Sequence, residues 1–283
     1  MKLVRFRRDG VAHVGAVKGD GIVALDPIGF TSMLEVIEGG KPALERIAGH
    51  LDTAAPDLAL ADADLLAPIE RPGKYLAIGM NYAKHLEEAD KLGVARAKHQ
   101  TWFNKQTTCI AGPYDDIEPG VTEKLDYEVE LAAVIGSAAK HVGEADAKDH
   151  VFGYTVANDV SARDWQFHTP TFTMGKSFDT HGPIGPWIVT ADEVSDPHAL
   201  TLRAYVNGEL RQSSDTSQMI NDLWAQIAYL STAFTLEAGD LIATGTPEGV
   251  GVGMDPPVFL QPGDVVRCEI DGIGAIENRV AVR

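Results

Sequence analysis

Apolar and polar positions change period several times along the chain. Residues 1–26 read as short strands broken at Asp9-Gly10 and Gly19-Asp20-Gly21, both hairpin-type turn signals. Helical spacing follows around Thr31–Glu38 and Pro42–Leu51, with the proline suited to a first helical turn. After the Ala/Asp-rich stretch Asp52–Leu66, two prolines and a glycine in Ala67-Pro68-Ile69-Glu70-Arg71-Pro72-Gly73 predict a boundary. The pattern thus divides the chain into a small α/β unit over residues 1–70 and a main body over 71–283. From Lys74 onward short apolar or alternating runs are punctuated by Gly and Pro. Leu202–Val206 and Glu209–Gln212 flank Asn207-Gly208, a type I′ hairpin signal, and Val265–Ile270 and Ala275–Val282 flank Asp271-Gly272. One long amphipathic helix is predicted from Ile220, Leu223, Ile227, Leu230 and Phe234, with Asp215 or Thr216 as its cap. No internal repeat or low-complexity tract is present. Many strands with few helices predict a β-rich α+β fold rather than βαβ units.

Composition narrows the function. With 283 residues, 45% hydrophobic and 23% charged, the chain is an ordinary globular one, long enough to bury a core without disulfides or structural zinc. Asp and Glu outnumber Lys and Arg by 41 to 24, a formal charge of -17, which repels phosphate backbones and anionic lipid heads. No nucleic-acid or membrane partner is therefore expected. Cys109 and Cys268 stand far apart with no C-x-x-C pairing, which fits a reducing compartment. No signal-peptide core and no 18-residue apolar run is found, so a cytoplasmic location is expected.

The most informative segment is Leu125-Asp126-Tyr127-Glu128-Val129-Glu130-Leu131, which alternates acid and apolar residues before running into pure hydrophobe. On one strand Asp126, Glu128 and Glu130 share a face, successive acids roughly 6.5–7 Å apart. An amphipathic strand facing water would show the same alternation. A second acid, Asp159, ends the strand-like run Gly153-Tyr154-Thr155-Val156-Ala157-Asn158. Glu128, Glu130 and Asp159 together would offer hard oxygen ligands only, which selects Mg²⁺, Mn²⁺ or Ca²⁺ over zinc or copper.

Other residues carry candidate chemistry. His85 and Glu88 form an i, i+3 pair on an expected helix, where the carboxylate could hold one ring nitrogen and leave the other as a base. Lys176 could fix an anion or be a solvated loop lysine. Arg163 and Gln166 follow Asp159 on one side of a short helix. The Gly-rich Thr244–Gly251, containing Thr246, reads as a loop that lets backbone approach a ligand. Several signatures fail. Gly249-Val250-Gly251-Val252-Gly253-Met254 lacks the third glycine of a dinucleotide fingerprint, Gly175-Lys176-Ser177-Phe178-Asp179 is not a nucleophile elbow, and His85-Leu86-Glu87-Glu88-Ala89 is not a zinc-protease motif.

Taken in order, Gly79-Met80-Asn81-Tyr82…His85, Asp126–Leu131, Gly153…Asn158-Asp159-Val160-Ser161-Ala162-Arg163-Asp164-Trp165-Gln166, Gly175–Asp179 and Thr244-Gly245-Thr246-Pro247 resemble the fumarylacetoacetate hydrolase family from about Tyr75 to Val282. The resemblance implies a mixed-sheet β-roll or sandwich, a homodimer, and one Mg²⁺, Mn²⁺ or Ca²⁺ held by Glu128, Glu130 and Asp159. It implies a general-base dyad of His85 and Glu88 on a segment that often acts as a lid. Lys176 is implied as a catalytic cation, and Arg163, Gln166, Thr246 and Lys105 as substrate-binding residues. Ile78–Tyr82 offers no acid where the larger members carry an extra metal-binding Asp, so the chain is more similar to the shorter acylpyruvate-type branch. The implied reaction is hydrolysis of a C–C bond in a 2,4-dioxo acid through a pyruvate enolate stabilised by the cation and Lys176. Oxaloacetate-type decarboxylation or isomerisation of a 2-oxo acid would use the same enolate. A binding protein without turnover would not need His85 and Glu88, and a purely structural acidic domain would need no metal.

Overall fold

The computed structural model describes residues 1–91 and 97–282. Its strands are, in chain order, β1 (Lys2–Arg8), β2 (Val11–Lys18), β3 (Gly21–Ala24), β4 (Leu58–Ala59), β5 (Asp64–Leu66), β6 (Tyr75–Gly79), β7 (Thr101–Lys105), β8 (Ile110–Ala111) and β9 (Leu125–Asp126). The remainder are β10 (Val129–Ile135), β11 (Val151–Asn158), β12 (Ser161–Ala162), β13 (Gly182–Thr190), β14 (Thr201–Val206), β15 (Glu209–Asp215), β16 (Leu241–Ala243), β17 (Val265–Ile270) and β18 (Gly274–Arg279). The helices are α1 (Met33–Thr53), α2 (Ala83–Lys91), α3 (Glu144–Ala147), α4 (Arg163–Gln166), α5 (Thr173–Lys176) and α6 (Leu223–Ala233). The fold is α+β and strand-rich, as its alternating texture predicts.

The main sheet runs β4-β3-β2-β1-β13-β11-β10-β16-β6-β7, with β5 on β1 and β8 on β13. It is mixed: most ladders are antiparallel, while β16 with β6 and β13 with β8 are parallel. A second sheet, β15-β14-β17-β18, contains both hairpins expected from Asn-Gly and Asp-Gly. Asn207 and Gly208 take the positive φ of that turn, 53° and 81°.

β10 lies near the centre of the main sheet, with every residue buried. Its period-two alternation feeds two cores. Val129, Leu131, Ala133 and Ile135 pack towards the second sheet and Leu223, Ile227 and Leu230 of α6. Ala132 and Val134 pack towards Val36, Ile37 and Ile47 of α1. Residues 1–70 supply five strands to the main sheet and share this second core with Tyr75, Ile184 and Leu241. No helix among the described residues is long and apolar enough to cross a membrane.

The two helices expected near the N-terminus meet at Gly40, whose φ of 52° and ψ of -142° is non-helical and separates them two residues before Pro42. Two local expectations are corrected. The later helix begins at Leu223, capped by Asp222 onto the Ala225 amide, while Asp215 caps a short 3₁₀ turn instead. The cause is tertiary: the Ile220 amide donates to the Asn81 carbonyl and the Asn221 amide to Asn81 Oδ1, holding residues 219–221 out of the helix against the loop before α2. Finally, the acidic segment is not one strand. The Tyr127 amide turns to Asp126 Oδ1 and the Glu128 amide to Asn158 Oδ1, so the ladder breaks between β9 and β10. None of its acids faces water; Asp126, Glu128 and Glu130 are all buried.

Candidate active site

Strand pairing brings the acids together. β10 and β11 run antiparallel with Val129 opposite Asn158, so Asp159 leaves β11 directly beside Glu128, and its amide donates to the Glu128 carbonyl at 2.9 Å. Carboxylate oxygens of Glu128, Glu130 and Asp159 all lie within 4.8 Å of one another. Three buried acids in such proximity are tolerable only with compensating charge. Lys176 Nζ lies 2.9 Å from Glu128 and 2.7 Å from Asp159, Arg163 pairs with Glu128 at 2.7 Å, and Lys105 donates to Asp159.

Each cation is delivered by a specific local device. Lys176 closes α5, which packs so tightly on α4 that a Cβ on Gly175 would sit 2.3 Å from the Gln166 backbone. Only glycine permits that approach. Arg163 opens α4 and is fixed by Nε to Asp126 at 2.8 Å and by Nη1 to Gln166 Oε1 at 3.0 Å. Lys105 ends β7. It was expected at a substrate carboxylate, but its ammonium is fully buried behind Asp159 and does not line the cavity. Its ammonium is instead held by Asp159 and lies near the Val160 carbonyl.

The cluster is electrically uneven. Burial raises the proton affinity of Glu128, but Lys176 and Arg163 outweigh it and hold the carboxylate well below the usual range. Glu130 goes the other way: burial, then Asp159 and Glu128, push it far above the usual range. Its hydrogen bond comes from the Gly245 amide at 2.9 Å, and no lysine or arginine pairs with it among the described residues. A buried carboxyl crowded by two others and lacking its own cation is what a divalent ion corrects. The all-oxygen donor set therefore fits Mg²⁺ or Mn²⁺. Burial opposes the Lys176 charge, yet Asp159 and Glu128 keep its pKa above that of an ordinary lysine.

Glu128, Lys176, Arg163, Gln166 and Thr246 line a cavity of about 790 Å³, and His85 and Glu88 line it from α2. His85 Nδ1 lies 3.1 Å from Glu88 Oε2, while the other Glu88 oxygen accepts from the Gly249 amide at 3.0 Å. The dyad is thus docked on the Gly-rich loop, with Lys84 paired to Glu248 beside it. The Thr246 hydroxyl is committed to the Val129 carbonyl and to Gln212 Nε2.

Sequence reasoning gave no role to Asp126 or Gln212. Asp126 accepts from the Gly251 and Val252 amides at 2.7 and 3.0 Å as well as from Arg163, so it ties the Gly-rich loop to the cation that flanks Glu128. Gly251 is required there, because a Cβ would sit 2.1 Å from the Val258 carbonyl oxygen. Glycine in this loop therefore lets backbone approach Asp126. Gln212 bridges Val129 to Thr246 and Pro247. The acid of Asp126 was visible in the alternation; Gln212, on a hairpin strand, carried no signal.

Residues 74–281 match the model of the fumarylacetoacetate hydrolase C-terminal domain. The chain belongs to the fumarylacetoacetate hydrolase family. Across 99% of its length it is 46% identical to the mitochondrial oxaloacetate tautomerase of Xenopus laevis, covering 90% of that protein. The solved fumarylacetoacetate hydrolase of Exiguobacterium antarcticum superposes with a TM-score of 0.84 at 41% identity, covering all of both chains. The maleylpyruvate hydrolase of Sphingobium sp. SYK-6, solved with manganese(II) and pyruvate, gives 0.84 at 32% identity over 99% of each chain. The family is one of enzymes, with hydrolases and oxaloacetate tautomerases among these relatives.

Proposed function

We propose that this chain is a divalent-cation-dependent enzyme that moves the proton at C3 of a 2-oxo acid, with keto–enol interconversion of oxaloacetate as its first reaction. The carrying observation is one cavity lined by His85, Glu88, Glu128 and Lys176, with Glu130 and Asp159 buried beside Glu128, their carboxylate oxygens within 4.8 Å of it. Likeness to the Xenopus tautomerase over nearly the whole chain supports the substrate. Glu128, Glu130 and Asp159 would hold Mg²⁺ or Mn²⁺, which when bound polarises the 2-oxo group as a Lewis acid.

The chain's own residues then divide the work. Glu88 fixes Nδ1 of His85, which leaves Nε2 to take a proton from one end of the enol–keto pair and return it at the other. The same carboxylate stabilises the imidazolium between the two transfers. Lys176 stabilises negative charge gathering on the substrate oxygen. Arg163, held by Asp126, Glu128 and Gln166, positions Glu128. Lys105 does the same for Asp159 from behind.

Likeness to the maleylpyruvate hydrolase favours a second reading, hydrolysis of a 2,4-dioxo acid. There His85 would take a proton from the water attacking the C4 carbonyl, the C3–C4 bond would break, and the departing enolate would be protonated at C3.

Purified protein with added Mg²⁺ or Mn²⁺ should speed the decay of enol-oxaloacetate absorbance. His85→Ala should lower that rate by roughly 10²- to 10⁴-fold while titration calorimetry still finds the cation site. Glu128→Gln should instead lose the cation. Equal loss of metal binding in His85→Ala would overturn the division of roles, and a wild type without a saturable cation site would overturn the reading. A faster rate on acylpyruvates than on enol-oxaloacetate would move the assignment to hydrolysis.

A further inference from the structure

The cavity is far larger than a four-carbon oxo-diacid needs: about 790 Å³, in the upper part of the ~300–1,000 Å³ range of pockets that take drug-sized ligands. What lines the surplus is apolar. Three phenylalanines form a ladder leading away from the charged floor. The Lys176 ammonium lies 5.1 Å from the centroid of the Phe103 ring. Phe103 meets Phe172 edge-on at 6.0 Å, and Phe172 meets Phe167 edge-on at 5.7 Å. All three line the cavity, and Val250 of the Gly-rich loop with Val252 and Phe259 beyond it add apolar surface. Phe167 at the outer end is 60% exposed, so its ring is open to a ligand entering the cavity. Phe172 holds a left-handed φ of 60°, a backbone state costly for a bulky residue and one that clusters at ligand sites.

We infer that this phenylalanine wall is a specificity subsite for an apolar, preferably aromatic, substituent on the 2-oxo acid. The inference rests on the proposed function, because it assumes that the acid's carboxylate and 2-oxo group sit at the Glu128, Glu130, Asp159 and Lys176 end. The tail then runs outward along Phe103, Phe172 and Phe167. Edge-to-face partners add attraction beyond area burial, so an aromatic tail would gain more along these rings than an aliphatic one. Lys124 also lines the cavity and would favour an acidic tail instead, so the two chemistries compete for the same opening.

Calorimetric titration of the Mn²⁺-loaded full chain with pyruvate, phenylpyruvate and 2-oxoglutarate separates them, since the three share a head and differ in the tail. Phenylpyruvate should bind at least roughly tenfold more tightly than pyruvate. Phe167→Ala, at an exposed position, should lower the phenylpyruvate-to-pyruvate affinity ratio severalfold, and Phe172→Leu should do the same. Tighter binding of 2-oxoglutarate than phenylpyruvate would overturn the inference and leave the proposed function standing, as would an unchanged ratio in both variants. If none of the three acids binds the cation-loaded protein, the proposed function itself fails, and the subsite with it.

Discussion

His181 shows how far a single buried side chain can be governed by its surroundings. It is wholly buried, with Nε2 2.9 Å from the Glu118 carbonyl oxygen and Nδ1 without a partner. Burial, then the nearby Lys105 charge, push its pKa down to about 3. In the unfolded chain the group titrates near its ordinary value of about 6.5, so between those values the unfolded state holds the extra proton. Stability contributed by neutral His181 is therefore complete above pH ~6.5 and falls as the pH drops, by about 1.4 kcal/mol per unit. Urea unfolding at pH 7.5 and 5.5 should show a steeper loss in the wild type than in His181→Gln, whose amide can still donate to Glu118. Equal losses in both would contradict the buried neutral state. At the same scale, the acids of the site were readable as residue types, whereas the pairing of Lys105 with Asp159 was not. Nothing in Phe103-Asn104-Lys105-Gln106 says which way a lysine at a strand end will point.

At the scale of elements, the site depends on short pieces held by close contacts. α4 and α5 are four residues each, too short to be stable alone, and they exist because they are pressed together on β12. Gly175 is the contact point. Gly175→Ala would drive a methyl group into the Gln166 backbone and the Ala162 carbonyl, neither of which can swing aside. We expect a loss of about 1–3 kcal/mol in urea unfolding together with at least a tenfold fall in activity, since Lys176 follows immediately. A variant with wild-type activity and stability would show that α5 is freer than its packing indicates. The hairpins and the helix carrying His85 were legible from turn residues and periodicity. The start of α6 was not, because hydrogen bonds to Asn81, remote in sequence, hold residues 219–221 out of the helix.

For the whole molecule, the sheet is the unit of stability. β1 pairs with β13 through Lys2 opposite Val189 and Leu3 opposite Ile188, and the core under α1 mixes residues from before and after position 70. Deleting residues 1–70 would uncover the β13 edge and the apolar faces of Ile184, Ile188 and Leu241. The truncated chain should aggregate or lose cooperative unfolding, as read by light scattering and circular dichroism. A monodisperse, cooperatively unfolding product would mean that the body after residue 70 carries a sufficient core of its own.

The sequence by itself determined the strand-rich texture, the hairpin turns and the oxygen-only chemistry of the acids, because turn propensity, side-chain period and ligand hardness are local properties. Tertiary structure decided the rest. Only the antiparallel register of β10 on β11 sets Asp159 beside Glu128, and only the packing of α5 and α2 brings Lys176 and His85 to one cavity. Convergence of that kind depends on distances between segments far apart in the chain, and such distances are fixed by sheet order and close packing, which no local pattern encodes.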